Sequence, residues 1–319
     1  MMQKWVEYVC RAAGDSCIWS TGHHYGDWLA LDAGEGNYTG ASRKEFIATA
    51  FYAHSAQLLA QAMDALDMDG AAYHRLFETI RAAHQNAFPD CRTQTECALA
   101  LHFGLAAAPD RVAAQLAELV RSNGNRLTTG FVGTPYLLHA LSENGYAQTA
   151  YDLLLQTKAP SWLFSVKMGA TTVWERWNSL LPDGSISSTG MNSLNHYAYG
   201  SILEWMFARI GGIQPMEQAP GFREALLCPA PDQRVGYGAA ELHTASGLWK
   251  SAWKLENGLL RLSITVPFHC TGHLALPGSP DSEVSSRYPE LFAHLDDQGR
   301  CLLSPGQYEL EYPWVQTEN

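Results

Sequence analysis

Three stretches of the 319-residue chain hold reactive residue types that are expensive to expose or odd to place. The first is GATTVWERWNS, residues 169–179, where Glu175 lies between Trp174 and Trp177 with Arg176 beside it. A carboxylate held against aromatic rings is desolvated, which raises its pKa and suits it to general acid or base work. The same residues also spell a capping box, Thr172-Val173-Trp174-Glu175, and on the residues alone a short capped helix is the simpler reading. The second stretch is HHYGDWLALDAGEGNYTG, residues 23–40, which sets Asp27, Asp32 and Glu35 among Tyr25, Trp28, Tyr38 and four glycines. Such a loop is suited to wall a ligand site, with an irregular surface loop as the alternative. The third is MNSLNHYAYG, residues 191–200, where His196 opens an aromatic helix. Its imidazole suits hydrogen bonding to a substrate hydroxyl, and a satisfied structural histidine is the alternative.

Other chemistries lack their signatures. There is no GxSxG elbow, no GxxxxGK[ST] loop, no HExxH pair and no Cys/His cluster at ligand spacing. Gly34, Gly36 and Gly40 miss the dinucleotide spacing by one residue, with no strand before them. No cofactor or metal is therefore expected. A net charge of −11, without any long Lys/Arg run, removes the electrostatic footprint of a nucleic-acid or anionic-membrane surface. No apolar run approaches a membrane span or an export signal. The seven cysteines form no CxxC pair, which points to reduced thiols in a cytoplasm. Carboxylates, ten tryptophans and one well-placed histidine remain, the equipment of carbohydrate chemistry.

The elements that must position these residues fall into two textures. From about Arg43 to Ile210, segments such as EFIATAFYAHSAQLLAQAMDAL and RVAAQLAELVRS repeat apolar residues at spacings of three and four. Asp69-Gly70, Pro109-Asp110, Asn123-Gly124 and Asn144-Gly145 punctuate them, so consecutive helices are expected as antiparallel hairpins. SLNHYAYGSILEWMFARI reads as a last helix, stopped at Gly211-Gly212. Beyond Pro215 the runs shorten and alternate, as in GLWKSAWKLE and QYELEYPWV, and Asn257-Gly258 marks a tight hairpin. The expected division is a helical part, residues 1–214, and an antiparallel β-sandwich of five to seven strands, residues 215–319.

Six motifs in order, HHYGDWLALD, GASRKEFIATAFYAHSAQLLA, TQTECALALHFGL, TTGFVGTPYLLHAL, GATTVWERW and NSLNHYAYGSILEWM, resemble bacterial α-L-rhamnosidases of glycoside hydrolase family 78. The stretch from GIQPMEQAPGFREALLCPAP to GQYELEYP is similar to the β-sandwich that follows their catalytic (α/α)6 toroid. The resemblance implies inverting hydrolysis of terminal α-L-rhamnosyl linkages by an acid and a base that stand about 6.5–9.5 Å apart. By position in TTVWER it makes Glu175 the general base, with or without a capping role. It implies that Trp28, with Tyr25 and Trp174 nearby, offers the sugar an aromatic wall, and that His196 hydrogen-bonds it. Asp27 is expected to orient its loop or to meet a hydroxyl.

One family segment, of the form DCPQRDERLGW, carries the general acid and is not found here. Residues 1–215 hold about eight helical segments, short of the twelve in a closed ring, so an incomplete (α/α)6 toroid is expected. The chain is then either the C-terminal part of a split or truncated rhamnosidase, or a carbohydrate-binding or vestigial relative without turnover. The partners implied are a rhamnosyl glycoside and an upstream half-protein or a second copy that covers the open ring. Asp32, Glu35 and Glu96 are the internal candidates for a substitute acid, with Glu35 in its Gly-flanked loop having the best reach.

Overall fold

The computed structural model describes residues 1–34, 36–278 and 282–314. Two compact units divide between Ser201 and Ile202. The first is helical, with α1 (Met2–Ala13), α2 (Lys44–Ala65), α3 (Ala71–Ala87), α4 (Gln94–His102), α5 (Pro109–Ser122), α6 (Thr134–Glu143), α7 (Ala147–Leu154) and α8 (Trp162–Lys167). Neighbours in sequence pack together, α2 on α3, α4 on α5 and α6 on α7, as short connections require.

Burial separates inner from outer helices. Every residue of α4 from Gln94 to Ala100 is buried, whereas α5 hides only Ala113, Leu116, Ala117 and Val120. A helix covered all round lies inside the bundle, and one with a single stripe lies on its surface. The Thr93 hydroxyl caps α4 by accepting from the Glu96 N–H at 3.1 Å, and Ser161 caps α8 through the Phe164 N–H at 3.0 Å. α1 was not among the helices expected from the sequence. The expected helix across 193–210 is also broken: residues 193–197 are irregular, and a 3-10 turn at Ala198–Ser201 ends the unit.

The second unit opens with α9 (Ile202–Trp205) and the wider turns of Met206–Gly211, stopped by Gly212 at φ 76°. Its strands are β1 (Ile213–Pro215), β2 (Glu224–Leu227), β3 (Tyr237–Thr244), β4 (Gly247–Glu256), β5 (Leu259–Val266), β6 (Thr271–Leu274), β7 (Cys301–Leu303) and β8 (Gly306–Pro313), with α10 (Ser282–Arg287) between β6 and β7. They form two four-stranded sheets, ordered β1-β2-β6-β7 and β3-β4-β5-β8. Among the described residues eight strands replace the five to seven expected, and β2 pairs parallel to β6, so the unit is not wholly antiparallel. Asn257 and Gly258 turn β4 into β5 with φ of 53° and 76°, the two positive angles of a type I′ turn. Along β4, Trp249, Ser251 and Trp253 are buried while Lys254 faces water, the alternation of a strand with one covered face.

Candidate active site

Glu175 lies in an irregular segment, and no helix follows Thr172. The capping box is therefore not formed. The Thr172 hydroxyl donates to the Leu194 carbonyl instead, and the His196 N–H donates to the Val173 carbonyl at 2.8 Å. The Glu175 N–H donates to the Ser193 carbonyl at 2.9 Å, while the Ser193 N–H donates to Glu175 Oε2 at 2.8 Å. Segments 172–175 and 193–196 are thus laced together, which explains why 193–197 leaves the helix. The Glu175 side chain is half-buried. One carboxylate oxygen is fixed by a backbone donor, and Oε1 has no hydrogen-bond partner among the described residues.

The lacing brings His196 beside the carboxylate loop. Its Nδ1 accepts from the Ala198 N–H at 3.3 Å, so the neutral ring carries its proton on Nε2, available to a hydroxyl. The ring stacks on Phe131, with centroids 5.0 Å apart at 21°. The Phe131 N–H donates to the Trp28 carbonyl at 2.9 Å. Phe131, left unassigned in the sequence motif TTGFVGTP, therefore ties the histidine to the aromatic loop.

In that loop Trp28 meets Tyr25 edge to face at 5.6 Å and Tyr38 at 5.5 Å. Tyr25 is 63% exposed and Trp28 partly exposed, so both offer ring surface. Trp174, expected in the same role, is only 6% exposed and leaves a sugar little ring face. Trp177 is buried too, stacked at 3.9 Å on Tyr199 and donating its indole N–H to the Thr129 carbonyl at 2.8 Å. Burial, with the charges of Asp27 and Glu175, pushes the Tyr199 phenol well up, and Arg176 opposes them. Tyr199 therefore stays neutral and packs.

Asp27 meets no solvent at all. Its carboxylate accepts from Thr95 Oγ1 at 2.5 Å and from the N–H groups of Gly130, Val132 and Gly133 at 2.8, 2.8 and 3.1 Å. Burial pushes the carboxyl up, and these four donors pull against it. The three N–H groups can only donate, so the cradle is shaped for the carboxylate. Of the two roles expected for Asp27, orienting the loop is the one this geometry serves, because no lone pair is left for a sugar hydroxyl. Gly130 is required at the same place, since a Cβ there would strike the Trp28 carbonyl and the Ala30 N–H. Leu29 between them is held at φ 61°, an uncommon angle for a leucine, with its N–H on the Tyr38 carbonyl at 2.6 Å.

Arg176 is a feature the sequence reading noted without using. Its guanidinium donates to the Gly190 carbonyl at 3.0 Å and to Asn178 Oδ1 at 3.2 Å, and lies over the Tyr38 ring at 5.3 Å. It joins the carboxylate segment, the 187–192 turn and the aromatic loop.

The internal substitutes for an acid fare differently. Glu96 is 1% exposed and committed on both oxygens to Arg43 and the Arg92 N–H, so neither oxygen is free to reach a leaving group. Asp32 accepts from the Ala41 N–H at 2.7 Å, and burial pushes its carboxyl up. Glu35 lies outside the described residues. All seven cysteines carry free thiols. Among the described residues no helix is long and apolar enough to cross a membrane, and no group of three or more His, Cys, Asp or Glu is placed to hold a metal ion.

The helical unit thus brings a half-buried carboxylate, a histidine and exposed aromatic rings together on neighbouring loops. Residues 1–210 match the bacterial alpha-L-rhamnosidase six-hairpin glycosidase domain, and residues 212–288 match the bacterial alpha-L-rhamnosidase C-terminal domain. The chain belongs to this bacterial α-L-rhamnosidase family. It is 34% identical to an α-L-rhamnosidase of Formosa agariphila across 98% of this chain and 35% of that protein. It is 38% identical to one of Streptomyces avermitilis across 81% of this chain and 25% of that protein. The crystal structure of the S. avermitilis enzyme complexed with L-rhamnose superposes with a TM-score of 0.84, at 32% identity over 98% of this chain and 30% of that one. The Aspergillus terreus enzyme gives 0.87, at 28% identity over 99% of this chain and 36% of that one. The chain thus spans about a third of the length of the relatives it matches.

Proposed function

We propose that this chain supplies the general base and part of the sugar-binding wall for inverting hydrolysis of terminal α-L-rhamnosides. The observation that carries the reading is the Glu175 carboxylate, fixed through Oε2 by the Ser193 N–H and unpartnered at Oε1. Oε1 takes a proton from water, and the water oxygen forms its bond to the anomeric carbon from the face opposite the glycosidic oxygen. The bond from that carbon to the glycosidic oxygen breaks, and the departing oxygen takes a proton from a carboxylic acid carried on polypeptide outside these 319 residues. The product is β-L-rhamnose. Trp28 and Tyr25 pack the apolar face of the sugar, and the His196 Nε2–H donates to a ring hydroxyl. Asp27 and Arg176 position the two loops. The partners are a rhamnosyl glycoside and the polypeptide that bears the acid, and the free thiols favour a reducing, cytoplasmic compartment.

The test is hydrolysis of 4-nitrophenyl α-L-rhamnoside, with NMR following the anomer first released. The chain alone is expected to bind L-rhamnose without turnover. Supplied with the complementary part of a rhamnosidase, it is expected to release the β-anomer. Release of the α-anomer, or turnover untouched by Glu175→Gln, would overturn the reading.

A further inference from the structure

α1 has one broad apolar face, only part of which is covered. Val6, Val9 and Ala13, at i, i+3 and i+7, are buried, and α1 packs on α2. Met1, Trp5, Tyr8 and Ala12, at i, i+4, i+7 and i+11, form the other edge of that face, along which Trp5 and Tyr8 are 47% and 54% exposed and Met1 is fully exposed. Gln3, Lys4, Glu7 and Arg11 occupy the opposite face. A surface helix turns its apolar face to a neighbour, so an apolar face covered along one edge alone leaves the other edge for a second neighbour. An exposed aromatic stripe of this kind marks a contact surface.

Two further observations identify the neighbour. Six hairpins make twelve helices, whereas the first unit supplies eight α-helices among its described residues, and the chain spans 30–36% of the solved relatives. The stripe also runs into the site. Trp5 meets Trp19 edge to face at 5.8 Å, and Trp19 meets His24 at 4.9 Å, next to the loop in which His23, Tyr25, Trp28 and Tyr38 touch in succession. His24 Nε2 is buried at the end of this track without a hydrogen-bond partner among the described residues.

Resting on the function proposed above, we propose that Met1, Trp5, Tyr8 and Ala12 form a seam for a helix from the remaining hairpins of the same six-hairpin domain, on polypeptide outside these 319 residues. A helix seated on this stripe borders the aromatic loop, which is where an acid carried by that polypeptide must reach the glycosidic oxygen. The stripe follows helical spacing, and Trp5 and Tyr8 stack on each other at 5.9 Å, which favours a polypeptide over a sugar as occupant.

The experiment mixes the full chain with the portion of the S. avermitilis α-L-rhamnosidase that the chain does not match, and measures association by light scattering and titration. The comparison variant is Trp5→Glu/Tyr8→Glu, with its fold checked by circular dichroism and its L-rhamnose binding by NMR. The expected result is a one-to-one complex that the double substitution weakens at least tenfold, with sugar binding unchanged. Four results would overturn the seam. They are absence of a complex, a complex indifferent to the double substitution, wild-type dimers that the substitution dissolves, and a rhamno-oligosaccharide bound at Trp5 and Tyr8. A complex formed through the stripe that hydrolyses no aryl α-L-rhamnoside contradicts the proposed function and leaves the seam standing.

Discussion

The Asp27 cradle and the Glu175 loop hold two carboxylates of the same unit in opposite conditions. Asp27 is fully buried with four donors on its oxygens, while Glu175 is half-buried with one donor on Oε2 and Oε1 unpartnered. A saturated buried carboxylate is a structural tie, since any proton or new ligand must displace a bond already made. A carboxylate held by one oxygen keeps its direction and retains a lone pair for chemistry. The difference lies in the backbone: the 128–133 turn closes around Asp27, and the 193–196 strip touches only one edge of Glu175.

The largest effect expected from this contrast is on rate. Glu175→Gln in the complemented enzyme should lower kcat for an aryl rhamnoside by about a thousandfold, with the midpoint of thermal unfolding nearly unchanged. Asp27→Asn should do the reverse. Its amide NH2 would face N–H donors, at a cost of about 3 kcal/mol in urea unfolding. Equal stability losses at the two positions would break the contrast.

These two predictions also mark where the sequence was legible. Glu175 was singled out by its tryptophans and its motif, but the residues that distinguish it from Asp27 lie far along the chain. Ser193 is eighteen residues from Glu175, and Gly130 is more than a hundred from Asp27. Local patterns explain why β4 was read across its full length and why Asn257-Gly258 was read as its turn. They do not announce the parallel pairing of β2 with β6, which unites distant segments. α1 went unread although its apolar residues share one broad face, because it stands before the continuous helical texture that starts near Arg43. The false capping box at Thr172 and the overlong helix at 193–210 share one cause. Both segments spend their hydrogen bonds on each other, and no propensity scale sees that exchange.

Smaller effects sharpen the picture. Gly130→Ala should push the Trp28 carbonyl away and cost about 2 kcal/mol, read by thermal unfolding, with a parallel loss of L-rhamnose affinity. Trp28→Ala should weaken L-rhamnose binding about fivefold in an NMR titration while leaving stability nearly intact. The mildest expectation concerns acid and the second unit. Burial opposes ionisation of Asp296, and hydrogen bonds from His273, from the Arg300 side chain and from the Arg300 and Gln298 N–H groups overcome it, holding the carboxyl well below its ordinary value. A depressed folded-state pKa stabilises above the ordinary carboxylate range and is lost as pH falls through it. Asp296→Asn should therefore flatten the acid limb of the stability curve measured by urea unfolding below pH 4 or so, with no effect on sugar binding.

The most direct test replaces the base and offers a substitute. In Glu175→Ala, supplied with the complementary hairpins, sodium azide has room to attack the anomeric carbon where, in the proposed mechanism, Oε1 activates water. Product analysis by NMR then identifies the face of attack. The account predicts little turnover without azide and, with it, restored cleavage that yields β-L-rhamnosyl azide. An α-configured azide, or hydrolysis by Glu175→Ala at the unsubstituted rate, would contradict the assignment of Glu175 as the base.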